Sequence, residues 1–362
     1  MQKIFIVIII IFLSNFLNGQ DQFRYTLFDY SPISLNPANA GSFEGTVRVG
    51  TLLREQDYGL KFGQYQSPIV YLDAPIIRGF RKMDWVGFGF SFQHDQQING
   101  TQVVDGYTDP TYYTNQTTTT VIGGLTYHLS LDKKRKNIIG IGFQTGNSSV
   151  YFTSDEWRLG STILNWLGAG ALGSLGTESI QETPLKADPQ SLNLGYSVGI
   201  TYTSNLNKTD YFKTGFSVAH IGKYLRNSII NSGGGSSLYK KYTAFGIYRQ
   251  ELDGGLILEP RFIFEYMKPS LLFGVQMLTG LKLTKPSLMT LYGGLGYNYP
   301  NGLQVLLSTD IKDLKIGFSF DINLSDKINA TGANGAFEIG ASYILKIRRK
   351  PIPDPVLVCP QL

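Results

Sequence analysis

The sequence has only one cysteine, Cys359, and this excludes an internal disulfide bond. After residue 20 it has no run of the roughly 18 consecutive apolar residues that a membrane-spanning helix needs. It has three histidines, and they lie in neither a metal-ligand spacing nor a recognisable Ser-His-acid pattern. The net charge of +5 is modest, and no basic stripe with interleaved aromatic residues indicates nucleic-acid binding. We therefore expect no enzyme, no metal or other cofactor, and no nucleic-acid partner.

The N-terminus has the order of a secretory signal peptide. Lys3 supplies the basic start, residues 4–13 the apolar core and residues 14–19 the small-residue cleavage region. We expect cleavage after Gly19, so that Gln20 begins the mature chain. The apolar core is short for a membrane helix, and an uncleaved anchor is the alternative that the sequence leaves open.

Most of the remaining chain alternates apolar and polar residues, which is the pattern of β-strands with one oily and one polar face. Segment 312–323 is the clearest case, and segments 191–202 and 337–347 repeat it. Its apolar face comprises Leu314, Ile316, Phe318, Phe320 and Ile322, and its opposite face comprises Lys315, Gly317, Ser319 and Asp321. The polar faces are rich in Gly, Ser, Thr, Asn and Gln, which favours a hydrated lumen.

A soluble β-sandwich would also alternate. However, the segments are about ten residues long, as tilted membrane-crossing strands must be, whereas soluble strands average about five or six. The composition of the polar face and the predicted export signal also favour a membrane barrel over a soluble β-sandwich. The sequence therefore predicts an all-β fold, a transmembrane antiparallel β-barrel in the bacterial outer membrane.

We predict about 14 strands between residues 45 and 347, preceded by an N-terminal plug at 20–44 and followed by a periplasmic tail at 348–362. The strands fall near 45–55, 65–76, 84–96, 116–130, 137–152, 190–204, 210–220, 239–251, 255–268, 270–282, 287–299, 301–311, 312–323 and 335–347. An even strand number places both chain ends in the periplasm. Every second connection is short, so we expect the short ones to be periplasmic turns and the others to face outside.

Three charged residues are expected to point into the lumen. Arg48 and Arg54 alternate with apolar residues of the first strand, and Glu338 lies on the last strand. Since the first and last strands must pair to close the barrel, we expect an ion pair between Glu338 and one of the arginines. Such a pair would seal the seam and carry no chemistry.

The predicted plug contains the motif Leu35, Asn36, Pro37, Ala38 and Gly41. Asn followed by Pro favours a turn. The apolar residues around this motif need a buried environment, and we therefore favour a segment that enters the lumen from the periplasmic side. A disordered periplasmic leader is the alternative.

Two other segments are candidates for contact with a partner protein. The long loop 153–189 contains an apolar stretch with Ile163, Leu164, Trp166, Leu167 and Leu172, which is either a docking surface or a loop folded back over the lumen. The tail begins with Arg348 and Arg349, contains three alternating prolines and reaches Cys359 and Pro360. Proline resists helix and sheet pairing, so the tail is either an extended handle for a periplasmic partner or a flexible end.

An ordered set of motifs along the mature chain resembles a known family. In order they are Asp21-Gln22-Phe23-Arg24-Tyr25, Leu35-Asn36-Pro37-Ala38-Asn39-Ala40-Gly41, Val49-Gly50-Thr51-Leu52-Leu53-Arg54-Glu55-Gln56, Leu125-Thr126-Tyr127-His128-Leu129-Ser130-Leu131-Asp132, Asp321-Ile322-Asn323-Leu324-Ser325, Gly335-Ala336-Phe337-Glu338-Ile339 and Cys359-Pro360. In order and spacing they closely resemble the PorP/SprF family of outer-membrane proteins, which is associated with the type IX secretion system of the Bacteroidetes.

The resemblance implies a function that composition does not show. It implies an outer-membrane accessory of type IX secretion that assists the export or surface attachment of a large adhesin. Its expected partners are the secretion translocon or periplasmic ring components, a secreted adhesin or its C-terminal domain, and outer-membrane lipid. Some family members are linked to gliding motility. The alternative is a passive or hydrophobic-substrate channel that resembles porins or fatty-acid transporters.

Overall fold

The computed structural model describes residues 25–57, 64–78, 81, 83–99, 114–154, 190–207, 209–222, 239–268, 270–283, 289–300, 302–324 and 334–347. The predicted signal peptide lies outside these residues, as do two candidate contact segments. These are the docking loop with Ile163, Leu164, Trp166, Leu167 and Leu172, and the tail with Arg348, Arg349, Cys359 and Pro360.

Fourteen antiparallel strands form a closed barrel in which each strand pairs with its neighbours in sequence and β1 pairs with β14. The prediction of an all-β barrel of about 14 strands is confirmed. The strands are β1 (Val47–Gln56), β2 (Gln64–Arg78), β3 (Trp85–Asn99), β4 (Thr114–Ser130), β5 (Asn137–Ser154), β6 (Gln190–Asn205), β7 (Tyr211–Ile221), β8 (Lys241–Glu251), β9 (Leu256–Met267), β10 (Ser270–Lys282), β11 (Met289–Tyr299), β12 (Gly302–Ile311), β13 (Leu314–Asn323) and β14 (Asn334–Leu345).

The two ends of the barrel differ in their connections. We call the end with the connections 79–84, 131–136, 206–210, 252–255, 283–288 and 312–313 the turn rim, and the opposite end the loop rim. Both β1 and β14 reach the turn rim, where Val47 is the partner of Leu345. The strands β2 to β6 have 15 to 18 residues, whereas the other strands have 10 to 13. One side of the wall is therefore longer than the 9–11 residues that a tilted strand needs to cross a bilayer.

The strands carry apolar side chains outward and polar side chains inward. In β13, Ile316 and Phe318 are 39% and 40% exposed, whereas Ser319 and Asp321 are 0% and 7% exposed. Large exposed apolar residues recur on the outer face of the other strands. Because one barrel face meets lipid and the other meets the lumen, this alternation gives the outer surface its oily band.

Residues 25–46 occupy the lumen as a plug. The plug comprises a 3₁₀ turn at Phe28–Tyr30, a short helix α1 (Pro32–Leu35) and a second 3₁₀ turn at Pro37–Asn39. No helix in the described part of the chain is long and apolar enough to cross a lipid bilayer. The plug runs from Tyr25, whose hydroxyl donates to the Ser67 carbonyl at 3.4 Å in the loop-rim half, to Thr46 at the turn rim.

The plug supplies much of the apolar core of the barrel. Leu27 and Tyr30 are each 1% exposed and share one cluster with Leu52, Ile69, Ile257, Leu278, Tyr292 and Leu306 from the wall. Phe28 and Leu35 belong to a second cluster with Phe245, Ile247 and Ile263. The barrel wall therefore packs on this segment as a soluble domain packs on its core.

Glycines in the wall let the plug backbone approach the strands. A Cβ atom at Gly142 would lie 2.3 Å from the Ala38 amide nitrogen, and one at Gly87 would lie 2.0 Å from the Ala40 carbonyl oxygen. Similar contacts occur at Gly199, which meets the Asn36 side chain, and at Gly317, which meets the Tyr30 ring. We call Gly87, Gly142, Gly199 and Gly317 the glycine seat.

The glycine seat changes one interpretation of the sequence. The glycines on the polar strand faces indicated a hydrated lumen, whereas at these four positions the strands meet protein. The physical reason is steric, because only a residue without a side chain lets plug backbone (at Gly87 and Gly142) or a plug side chain (at Gly199 and Gly317) approach this closely. An alternating strand pattern does not distinguish a glycine that faces water from one that faces a plug.

The glycine seat makes a directional prediction for Gly142→Ala. The added methyl group meets the backbone of the plug, so we expect a loss of about 1–3 kcal/mol of folding free energy, as for other overpacked sites. Gly123→Ala is the matched control, because no atom lies within 4 Å of a Cβ built there. The temperature at which each purified variant loses its heat-modifiable electrophoretic mobility measures the effect. Equal temperatures for the two variants would contradict the glycine seat.

Candidate functional site

A buried carboxylate ties the start of the plug to the last strand. Glu338 accepts hydrogen bonds from the backbone amides of Thr26 and Leu27, both at 2.7 Å. The Thr26 hydroxyl donates to Asp321 at 2.8 Å. Arg54 Nη1 lies 2.5 Å from Glu338 Oε1 and 3.0 Å from Asp321 Oδ2, so one guanidinium pairs with both carboxylates. We call Thr26, Arg54, Asp321 and Glu338 the seam anchor.

The seam anchor follows from strand register. Arg54 on β1 and Glu338 on β14 are direct partners in the seam pairing. Arg48, the other arginine considered in the sequence, instead pairs with Asp73 on β2 at 2.7 Å. Asp73 also accepts a hydrogen bond from the Gly41 amide at 2.7 Å, so this second pair holds the other end of the plug.

A third ionic contact involves the first turn of the plug. Asp29 accepts a hydrogen bond from Arg261 Nη1 at 3.0 Å and also contacts the Lys315 ammonium group. Burial disfavours the charged form of Asp29, but the positive charges of Arg261 and Lys315 outweigh burial and lower its pKa from 3.8 to about 2. Arg261 also forms an ion pair with Glu259, with its Nη2 atom 2.5 Å from Glu259 Oε1. The plug carboxylate is therefore ionised at neutral pH and attracted to two strands.

The plug motif lies against the strands β3 to β7. The Asn36 side chain accepts from the Ala38 amide at 2.8 Å and donates to the Ile200 carbonyl at 3.3 Å. The Pro37 carbonyl accepts from the Thr126 hydroxyl at 2.7 Å. Gly41 has a φ of 71°, a conformation that favours glycine, and its carbonyl accepts from the Trp85 indole at 2.9 Å.

The remaining motif residues complete this contact with the wall. The Ala40 carbonyl lies 2.8 Å from His128 Nε2, and the Leu35 carbonyl accepts from the Ser217 hydroxyl at 3.4 Å. His128 stacks on Trp85 with ring centroids 4.6 Å apart. These contacts use His128 to hold backbone, which is a structural role.

Sequence reasoning missed several of these side chains. Asp73 is an inward-facing position of an alternating strand, so the alternation that identified Arg48 and Arg54 could also have identified it, whereas alternation did place Asp321 on the polar face but assigned it no partner. Asp29 had no such signal, because its partner Arg261 lies 232 residues further along the chain.

The plug lies between two cavities in the lumen. The loop-side cavity has a volume of about 340 Å³, and the turn-side cavity has a volume of about 520 Å³. Phe28, Gln144, Lys241 and Glu265 are among the residues that line the loop-side cavity, and Leu35 lines both. Among the described residues, no group of three or more His, Cys, Asp and Glu could hold a metal ion.

Comparison with known families assigns this plugged barrel. The family profile for the type IX secretion system membrane protein PorP/SprF matches residues 17–343. The chain belongs to the PorP/SprF family. The resemblance drawn from the motifs is thereby confirmed, and it extends over nearly the whole chain. The PorP/SprF family associates this barrel with type IX secretion.

Solved structures support the fold of this PorP/SprF barrel. It is similar to the toluene transporter TodX of P. putida, with a TM-score of 0.53, 10% identity, and coverage of 87% of this chain and 93% of TodX. It is also similar to a TodX deltaS2S3 mutant, a monoaromatic hydrocarbon channel, with a TM-score of 0.51, 10% identity, and coverage of 91% and 96%. No curated protein matches the sequence.

These findings place the PorP/SprF barrel in a class. At 10% identity the structural likeness shows the fold alone. Fold and family together are those of a non-enzymatic outer-membrane barrel that is associated with secretion.

The seam anchor predicts a large effect for Glu338→Gln. The Gln amide has one acceptor oxygen in place of two, so either the Thr26 or the Leu27 amide loses its acceptor while Arg54 keeps Asp321, and an unsatisfied buried donor costs about 1–3 kcal/mol. The control is Lys346→Gln, because Lys346 and its partner Asp313 are 51% and 33% exposed and an exposed pair contributes only about 0–1 kcal/mol. The free energy of unfolding in urea measures both, and similar losses for the two variants would contradict a dominant seam anchor.

The low pKa of Asp29 predicts an acid dependence with a defined sign. Because the pKa falls from 3.8 to about 2 on folding, ionised Asp29 stabilises the folded state above about pH 4, and this contribution disappears as the pH falls through about 2. A shift of this size corresponds to about 2 kcal/mol.

Asp29→Asn tests the acid dependence. Wild type should exceed the variant in unfolding free energy by about 2 kcal/mol at pH 5, and the gap should close by about pH 2. Urea titrations at pH 5, 4, 3 and 2 measure the gap, and using the difference between the two proteins removes the titration of the other carboxylates. A gap that stays constant with pH would show that Asp29 acts through packing alone.

Proposed function

We propose that this barrel is a non-conducting outer-membrane accessory of type IX secretion that binds a secreted adhesin-like protein, its C-terminal domain, or the translocon. The observation that carries the proposal is the plug, which packs against the glycine seat. Its Asp29 carboxylate binds Arg261, and its Thr26 and Gly41 amides bind the wall carboxylates Glu338 and Asp73. A barrel whose interior is fastened in this way is suited to recognition rather than to conduction.

The orientation follows from the connections. We assign the turn rim to the periplasm and the loop rim to the outside, since bacterial barrels have short periplasmic turns and longer external loops. In this orientation the barrel wall begins with β1 and ends with β14 at the periplasmic rim. Periplasmic ring components would meet the turn rim, and a partner at the cell surface would meet the loop rim.

Two segments outside the described residues are assigned to partner contact. The loop with Ile163, Leu164, Trp166, Leu167 and Leu172 offers apolar side chains on the external side. The tail with Arg348, Arg349, Cys359 and Pro360 follows a strand that ends at the turn rim, so it can reach periplasmic proteins without disturbing the barrel. Partner contact through either segment needs no catalytic group.

A passive or hydrophobic-substrate channel is the second candidate. It is favoured by the likeness in fold to the toluene transporter TodX and by a cavity on each side of the plug. For this role the plug would have to leave the glycine seat, which breaks the contacts of Asp29, Gly41 and Thr26 together.

Affinity purification of a tagged copy from native outer membrane distinguishes the two functions. We expect mass spectrometry to identify a secretion translocon barrel, ring components or one large surface protein. A copy that lacks residues 348–362 is the matched comparison. It should keep heat-modifiable mobility and lose the periplasmic partners if the tail is their handle.

Planar-bilayer recording completes the test. The purified wild-type barrel should give no steady single-channel conductance, whereas Gly142→Ala should conduct more often because the plug is displaced. Recovery of the barrel alone in mild detergent, together with steady conductance of the wild type, would overturn the accessory role in favour of the channel.

A further inference from the structure

Lys213 on β7 is a lumen-facing cation at the turn-side cavity. Its ammonium nitrogen lies 3.2 Å from the Ser42 hydroxyl oxygen of the plug. No carboxylate among the described residues forms an ion pair with Lys213, although the nearby Arg48 and Asp73 act on its charge. Asp73, the carboxylate that acts on Lys213, is already bound to Arg48 through two hydrogen bonds at 2.7 and 2.8 Å.

The other lysines of the cavity provide the contrast. Lys315 contacts Asp29 and Lys346 contacts Asp313, so each has its own carboxylate, whereas Lys312 has no ion pair among the described residues but is exposed at the turn rim. Asp73 acts on both Lys213 and Arg48 but forms its ion pair with Arg48, and none of the carboxylates that line the cavity (Asp29, Glu44, Asp310 and Asp313) forms an ion pair with Lys213 in the described part of the chain. Charges inside a protein interact more strongly than in water, and a half-buried ammonium group without a counter-charge therefore favours an anionic ligand.

The surroundings of Lys213 indicate which kind of anion fits. The turn-side cavity has a volume of about 520 Å³, and apolar side chains of Leu35, Phe245 and Ile247 line it beside the charged groups. The hydroxyl groups of Ser42 and Thr203 also line it and can donate hydrogen bonds. The surroundings of Lys213 thus combine a cation, neutral donors and an apolar wall, and the cavity also has carboxylates (Asp29, Glu44, Asp310 and Asp313) that would repel a multiply charged phosphate more strongly than a single carboxylate.

We propose that the turn-side cavity binds a carboxylate group carried on a partly apolar body, with Lys213 as its charge partner and Ser42 as a neighbouring donor. The carboxylate can come from an acidic peptide segment or from a free small carboxylic acid. This inference concerns the isolated barrel and does not depend on the secretion role.

Calorimetry on the purified full-length barrel in detergent tests the proposal. The peptide probe is N-acetyl-Ala-Leu-Glu-Leu-Ala-amide, its neutral counterpart carries Gln in place of Glu, and the small-molecule probe is hexanoate. We expect the Glu peptide to bind at least about tenfold more tightly than the Gln peptide, as expected for a charge-assisted hydrogen bond. Hexanoate binding of equal strength would identify a small carboxylic acid as the source, and weaker hexanoate binding would identify a peptide.

Variants locate the binding to one lysine. Lys213→Gln should weaken carboxylate binding at least about tenfold, and Lys213→Arg should preserve most of it because the charge remains. Lys241→Gln is the matched control, since Lys241 also faces the lumen but lies at the loop-side cavity, 2.9 Å from Glu265. Equal binding of the Glu and Gln peptides, or equal effects of Lys213→Gln and Lys241→Gln, would overturn the proposal.

A measurement on the wild type keeps the test decisive if Lys213→Gln fails to fold. Acetic anhydride labels accessible amines, and mass spectrometry reads the extent of labelling at each lysine. The bound carboxylate probe should reduce labelling of Lys213 and leave Lys241 unchanged. Unchanged labelling of Lys213 at a saturating probe concentration would contradict binding at this site.

Discussion

The interaction on which the rest of the structure depends is the set of contacts made by the Glu338 carboxylate. It accepts hydrogen bonds from two backbone amides of the plug, both at 2.7 Å, and pairs with Arg54 across the closing seam. A buried carboxylate is unfavourable without partners, and here a positive charge and two amide donors satisfy it. One side chain thereby links the first strand, the last strand and the lumen segment. Consequently, both the seam between β1 and β14 and the start of the plug depend on the charge of Glu338.

The rest of the plug follows from this fixed start. From Thr26 the segment passes Asp29 with its two cationic partners, then lays its backbone against the glycine seat, and reaches the Arg48–Asp73 pair before β1 begins. Each contact is between the plug and a different part of the wall. The plug therefore acts as the core of the barrel, and the apolar clusters around Leu27 and Phe28 would lose their centre without it.

The sequence predicted the wall well because the wall is governed by local periodicity. Alternation placed all fourteen strands, and it also pointed Arg54 and Glu338 inward before any register was known. It could not predict which glycines face the plug, since Gly142 has the same local pattern in either environment. It could not pair Asp29 with Arg261 either, because that contact depends on the path of the plug through the closed barrel. Local patterns specify strands, whereas contacts between distant segments require the closed structure.

The location of Glu338 has a consequence for how the protein is built. Thr26 and Glu338 are 312 residues apart, so the start of the plug has its acceptor on the final strand. A barrel that lacks β14 has an open seam, and the Thr26 and Leu27 amides have lost their carboxylate acceptor. Closure of the wall and attachment of the first plug residues therefore depend on the same side chain. The Glu338 carboxylate can bind the plug amides only in a barrel that contains its last strand.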